Sequence, residues 1–215
     1  MHGDDVVAAA RSLAAAGLVT AFGHVSARAG TDAFLITPPK ALGSLQPDEP
    51  LQEVPLIGDD LPQGVPKEAW IHHAIYNARL DVNGICRAQP AVTTAVISGG
   101  IRIRPLHGQG AFLGREVPVY DDARLVRSRE AGETLAADLG SAYGVVMRGN
   151  GAVTVGADVG EAAARMWVLE RSAEMNRDAA SAGTPRPLDE EEFVYWDGVS
   201  AEILGRIWSY LKASA

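Results

Sequence analysis

The sequence is almost without cysteine: Cys86 is the one thiol in 215 residues. A single thiol closes no internal disulfide and suits a reducing compartment. Long apolar runs are missing too, since no window approaches the roughly 18 apolar residues that a membrane helix requires. Positive charge is not in excess. Nineteen Lys and Arg face 27 Asp and Glu, a formal net charge of −8, whereas a general nucleic-acid binder needs a net basic face. The opening Met-His-Gly-Asp-Asp is acidic, unlike the basic head of a secretion signal. There is no internal repeat and no low-complexity tract. These absences lead to the expectation of a cytoplasmic protein with neither nucleic acid nor membrane as partner.

What is present is ordinary for a globular chain, with 47% apolar and 21% charged residues. The length suits a single domain over residues 1–215, with 179–215 expected as a C-terminal extension packing on a neighbouring subunit. Twenty-three glycines imply many tight turns. Residues 4–16 read as a helix stopped by Gly17. "DAFLITPPK" is a strand ended by its prolines, and "EVPLIG" a short edge strand in a Pro- and Gly-rich region. Pro66 opens a helix predicted to run to Arg79; Trp70, Ile71, Ala74, Ile75 and Ala78 form its buried stripe. "VNGIC" is a strand, "PAVTTAVIS" a helix and "REVPVY" a strand. Ser128 caps a helix closed by Gly140. "YGVVMRGNGAVTVG" reads as two strands joined at Gly-Asn-Gly. Asp158 with Glu161 caps a long helix to about Asn176, and Ser200 caps a last one. Helices and strands mixed throughout predict an α/β sandwich rather than a bundle.

Four stretches, in order, resemble the class II aldolase and adducin-head family: "GLVTAFGHVSAR", "LITPPK", "KEAWIHHAIYNARLDVNGICRAQP" and "RGNGAVTVGADVGEAAARMWVLERSAEM". The resemblance implies a three-layer sandwich whose central, mostly antiparallel sheet is flanked by helices. It also implies a homotetramer with pockets between subunits, to which Tyr195, Trp196 or Tyr210 could contribute from the C-terminal segment. Such proteins hold zinc or a similar divalent metal with three histidines, two in a His-x-His and one in a His-Gly turn, and use a glutamate as acid/base. Carried over, the glutamate falls on Glu68. The histidines fall on Arg87, Gln89 and Asn150.

That departure is chemical. Arg87 and Gln89, at i and i+2 of a strand, point the same way. A guanidinium offers a metal no lone pair and stays charged; Gln and Asn amides are poor zinc ligands beside imidazole or thiolate. No metal and no other cofactor is expected here. The alternative is a rebuilt metal site of Glu68 with His24 or His107. Arg87 instead supplies a fixed positive charge that can stabilise an oxyanion or hold a carboxylate. Glu68 is the candidate acid/base, with His24 and His107 assisting. Arg28, Thr37, Lys40, Gln89, Gln109 and Asn150 are candidate substrate contacts, with Arg148 nearby. Pro66, which has no N–H to donate, and Lys67 stand before the glutamate where sugar-phosphate members carry small hydroxyl residues, so a small carboxylate is expected as ligand rather than a phosphate. Beside these roles stand plainer ones: a Glu68–Arg87 ion pair that fills a vacated site, His24 as a local hydrogen-bonding residue, His72 as packing or orientation, His73 at the surface, and Cys86 as an inert core thiol on the face opposite Arg87. The leading expectation is a metal-independent lyase of aldolase, decarboxylase or dehydratase type working through an enolate-like state. A metal lyase with rebuilt ligands and a non-catalytic, adducin-like binding module are the alternatives.

Overall fold

The computed structural model describes residues 2–215. Seven strands form one sheet: β1 His24–Ala29, β2 Ala33–Ile36, β3 Gln52–Pro55, β4 Gly84–Ala88, β5 Val119–Tyr120, β6 Gly144–Met147 and β7 Gly151–Gly156. Their order is β3-β2-β1-β4-β7-β6-β5. Every neighbouring pair is antiparallel except β5 with β6. Helices cover both faces, which gives the three layers expected. On one face lie α1 His2–Ala15, α3 Ala91–Ser98, α5 Val159–Ala182, α6 Glu190–Gly198 and α7 Ser200–Ala213; on the other lie α2 Ala69–Ala78 and α4 Arg129–Leu139. No helix among the described residues is long and apolar enough to cross a membrane.

Strand alternation sorts side chains between these layers. On β4, Ile85 joins the α2 side, whereas Cys86 and Ala88 join the α1/α5 side. Arg87 therefore faces α2. On β1, Val25 and Ala27 enter the α1/α5 core, which leaves His24, Ser26 and Arg28 facing α2. Ile71 and Ile75 anchor α2 with no exposed surface; burial of such side chains is worth about 1.5–3 kcal/mol each.

Some boundaries differ from those read in the sequence. Pro66 to Glu68 form a turn, in which Ala69 N–H bonds Pro66 O at 2.9 Å, and α2 begins at Ala69. The long helix continues past Asn176 to Ala182 because helix-compatible residues persist until Gly183. Helix α6 was not anticipated, although Asp189 and Glu192 make a complete capping box. It runs almost directly into α7, so Val199 rather than Ser200 takes the cap position, without a side-chain bond. α7 buries Leu204, Ile207 and Leu211 in the core of its own chain.

Candidate active site

Two ladders of side chains meet between the sheet and α2. On β1, His24, Ser26 and Arg28 share a face. Along α2 and the turn before it, Glu68, His72 and Tyr76 recur every four residues on one helix face. The repeats match, because two strand residues advance about 6.6 Å and four helical residues about 6 Å. Each strand residue therefore meets a helical one. His24 Nδ1 lies 2.6 Å from His72 Nε2, and Ser26 Oγ lies 2.6 Å from His72 Nδ1 and 2.9 Å from Tyr76 Oη. Arg28 ends the ladder. Its guanidinium sits over the Tyr76 ring at 4.8 Å and donates to the carbonyls of Tyr76, Arg79 and Val82.

Arg87 stands directly across from His24 in the β1–β4 register. It is the largest fully buried side chain, 1% exposed. The β6–β7 turn presses against it. Gly151 has a positive φ of 93°, and a Cβ there would lie 2.2 Å from Ala88 O, so glycine is needed for this approach. The turn thereby brings Asn150 onto Arg87, whose Nη2 donates to Asn150 Oδ1 at 2.9 Å and to Asn150 O at 3.2 Å. Arg87 Nη2 also lies 3.5 Å from Glu68 Oε2, so the expected ion pair is formed. It leaves much unused. Arg87 Nε and Nη1, Asn150 Nδ2, His24 Nε2 and Glu68 Oε1 are buried without a hydrogen-bond partner among the described residues. Groups of that kind cost about 1–3 kcal/mol each when left unmade.

The charge states follow from the surroundings. Burial pushes the Glu68 carboxyl up, but His24, the Arg87 charge and Asn150 together bring it below the usual range. Its place at the N-terminal end of α2 favours the anion further. Burial lowers His24 and, more strongly, His72; the Glu68 carboxylate pulls His24 up, but the Arg87 charge lowers both rings and the net direction is down for each, so both imidazoles are neutral near pH 7. Above the cluster opens a cavity of about 520 Å³ lined by His24, Glu68, Lys67, Arg127, Lys40 and Phe22, among others.

Not every expected residue gathers here. Glu68 and His24 line the cavity, and Arg87 and Asn150 meet Glu68 beneath it without lining it, with Gln89 half-buried against the same turn. Lys40 reaches the cavity rim but pairs with Glu49 at 2.5 Å. Thr37 is buried, and its Oγ1 accepts from Val25 N–H at 3.1 Å, which fixes the start of β1. Arg28 is placed away from the cavity because three carbonyls at the far end of α2 hold it. His107 bonds Ser172 Oγ on α5 at 3.0 Å, in the opposite layer, and Gln109 lies in the short 3-10 helix Gly108–Leu113 beside it. Arg148 is exposed and pairs with Asp121. His73 is buried, 3% exposed, against Trp70 rather than at the surface. Cys86 is a buried core thiol, pushed up by burial. Trp196 packs within its own chain over Gly108, whereas Tyr195 and Tyr210 are exposed. Ser26 and Tyr76 were missed as site residues. Both stood in the motifs, two residues after His24 and four after His72, but nothing in one dimension places β1 under α2.

Residues 4–176 match the family described as the class II aldolase and adducin N-terminal domain. The chain belongs to this family. A solved relative, the L-fuculose-1-phosphate aldolase of Thermus thermophilus, is 30% identical with a TM-score of 0.73, over 86% of this chain and 100% of that one. A 3,4-dihydroxyphthalate decarboxylase of Terrabacter sp. is 29% identical over 123 residues, 55% of this chain and 52% of the relative. A putative class 2 aldolase of Pseudomonas aeruginosa is 27% identical over 167 residues, 75% of this chain and 64% of that protein. The chain thus spans about half to two-thirds of the length of these two curated relatives.

The metal that the family resemblance implies does not fit the residues present. Among the described residues no three His, Cys, Asp or Glu are grouped to hold one. Glu68 and His24 converge at 3.9 Å, but the Arg87 cation stands 3.5 Å from the same carboxylate oxygen. His24 Nδ1 and both nitrogens of His72 are already engaged. A guanidinium at the ligand position repels a cation and can donate it no electron pair.

Proposed function

We propose that this chain is a lyase that cleaves a small hydroxy-carboxylate through an enolate-like state, with Arg87 taking the electrostatic role of a metal. One observation carries the reading: the guanidinium is buried with Nε and Nη1 unpartnered, beside the Asn150 amide. Nε–H and Nη1–H lie on different edges of the guanidinium, and each suits a single carboxylate or enolate oxygen. Glu68 Oε1, an orphan acceptor, suits a substrate hydroxyl. A remnant kept only for its fold would have no reason to retain so many unmet polar atoms, which weighs against the non-catalytic binding module.

The ionised Glu68 favours the retro-aldol sense. It takes the hydroxyl proton, the C–O bond becomes a carbonyl, and the adjacent C–C bond breaks. The electron pair passes to the enolate, whose oxygen meets the Arg87 and Asn150 donors, and the Glu68 proton then returns to carbon. Decarboxylation is the second reading, favoured by the name of the Terrabacter relative; it needs the same anion hole and a proton donor after CO₂ departs. Lys67 and Arg127 at the rim support an anionic substrate. The exposed Tyr195 and Tyr210 support a homotetramer in which they reach a neighbour, checked by light scattering.

The test combines elemental analysis with a thermal-shift and turnover screen of hydroxy- and keto-carboxylates, run with and without chelator. The reading expects cleavage indifferent to chelation. A stoichiometric transition metal whose removal abolishes turnover would sink it.

A further inference from the structure

The donor chain beneath the cavity has a direction that proton counting fixes. Tyr76 Oη is buried, and its one hydrogen bond among the described residues is to Ser26 Oγ. Ser26 Oγ bonds only Tyr76 Oη and His72 Nδ1. His72 Nε2 faces His24 Nδ1. With both imidazoles neutral, each ring carries one proton. Two arrangements are possible. If protons point from His24 toward Tyr76, either the phenolic or the serine hydrogen is left without an acceptor, and the lone pair of His24 Nε2 faces the Glu68 carboxylate 3.9 Å away. Both results are unfavourable in a buried site. If they point the other way, Tyr76 donates to Ser26, Ser26 to His72 Nδ1, and His72 Nε2–H to His24 Nδ1. Every proton is then used, and His24 Nε2–H is left aimed at Glu68 and the cavity.

We propose that Tyr76, Ser26 and His72 act as positioning residues that lock His24 in its Nε2–H tautomer, so that a fixed neutral donor stands beside Glu68 for the cavity occupant. His24 then contributes a further N–H to the anion site without adding a charge. The groups facing it are Glu68 and Arg87 on the cavity side and His72 from α2. The value of this donor to turnover rests on the lyase reading; the tautomer does not.

The experiment is a long-range ¹⁵N–¹H correlation spectrum of the full chain with labelled histidine at pH 7, assigned with His24→Asn and His72→Gln. The expected result is a protonated Nε2 and a bare Nδ1 on both rings. In Ser26→Ala the bias is removed, and the two rings are expected to show mixed tautomers. A proton on His24 Nδ1, or on both nitrogens, overturns the proposal. Unchanged tautomers in Ser26→Ala overturn the role of the chain in setting them. The wild-type spectrum decides the direction even where Ser26→Ala does not fold. It needs no substrate, so its failure is distinguishable from failure of the lyase reading, which turnover alone decides.

Discussion

Replacement of Arg87 by methionine separates a binding role from a structural one, because the two predict opposite partnerships between stability and affinity. In the wild type, Nε and Nη1 are buried without partners, so part of the desolvation cost of the guanidinium is uncompensated until a ligand arrives. Losing one partner of a buried pair costs about 3–5 kcal/mol when the other charge stays trapped. Glu68 is less confined than that, with its side chain 13% exposed toward the cavity, so Arg87→Met should fall at or below about 3 kcal/mol. The double variant Arg87→Met with Glu68→Gln removes both charges and should regain that loss, or exceed the wild type, by about 1–4 kcal/mol. Binding behaves otherwise. Two N–H bonds to ligand oxygens, at about 1.5–3 kcal/mol each, amount to about 3–6 kcal/mol, which is about 10²- to 10⁴-fold in affinity at 1.4 kcal/mol per tenfold. Both variants should lose it. Denaturant unfolding gives the first quantity, and calorimetry with the hydroxy-carboxylate that most raises the wild-type melting temperature gives the second. A double variant as unstable as the single one, with ligand affinity intact, refutes the reasoning and makes Arg87 a structural prop.

Four further outcomes follow from the geometry. In Arg87→Met the Glu68 carboxyl, now governed by burial, should titrate above its wild-type position in a ¹³C-detected titration; an unchanged midpoint denies the coupling. The wild-type melting temperature should decline as pH falls below about 6.5, the ordinary histidine value. His24 and His72 are lowered in the folded state, so the unfolded chain binds more protons in that window and acid favours it; His72→Gln should flatten the slope, and an unaltered slope speaks against a neutral buried His72. Gly151→Ala places a side chain at φ 93° against Ala88 O and should cost at least about 1–3 kcal/mol in unfolding experiments, with loss of ligand binding as Asn150 is displaced. Cys86, fully buried with its thiol pushed up, should react with a disulfide reagent only as fast as the chain opens, and Cys86→Ala should leave turnover unchanged.

How much of this was legible beforehand depends on the range of the signal. The periodicity of two on β4 and of four on α2 is local, and it sorted Cys86 from Arg87 and placed His72 on the helix face of Glu68. The motifs supplied the fold, because their order fixes which strands exist. Residues whose environment depends on the meeting of distant segments were not legible. His73 looked like a surface residue because α4 and Trp70, which cover it, lie elsewhere in the sequence or on a neighbouring turn. Arg28 looked like an anion contact, yet the free carbonyls at the C-terminal end of α2 claim a guanidinium first. His107 stood in a plausible loop, but the hydroxyl that takes it belongs to α5.

The same reasoning says why the vacated metal position did not simply fill with apolar residues. The ladder of β1 against α2 delivers polar groups to the end of the sheet whatever stands at position 87. Glu68 and His24 arrive there by the periods of their own elements, and a hydrophobic side chain opposite them would leave the Glu68 carboxylate without the positive charge of Arg87, at a cost at or below about 3 kcal/mol. A positive, donor-rich side chain answers that carboxylate. Arginine satisfies that constraint and still has N–H groups to spare, which is the basis of the proposed anion site. Polar residues at 87 that cannot carry charge, such as glutamine, should keep the fold but bind carboxylates weakly. Lysine, a point charge without the planar fork, should restore the Glu68 pairing more fully than it restores the ligand. A lysine variant that binds the hydroxy-carboxylate as well as the wild type would show that charge alone, and not the geometry of the guanidinium N–H groups, is what this position supplies.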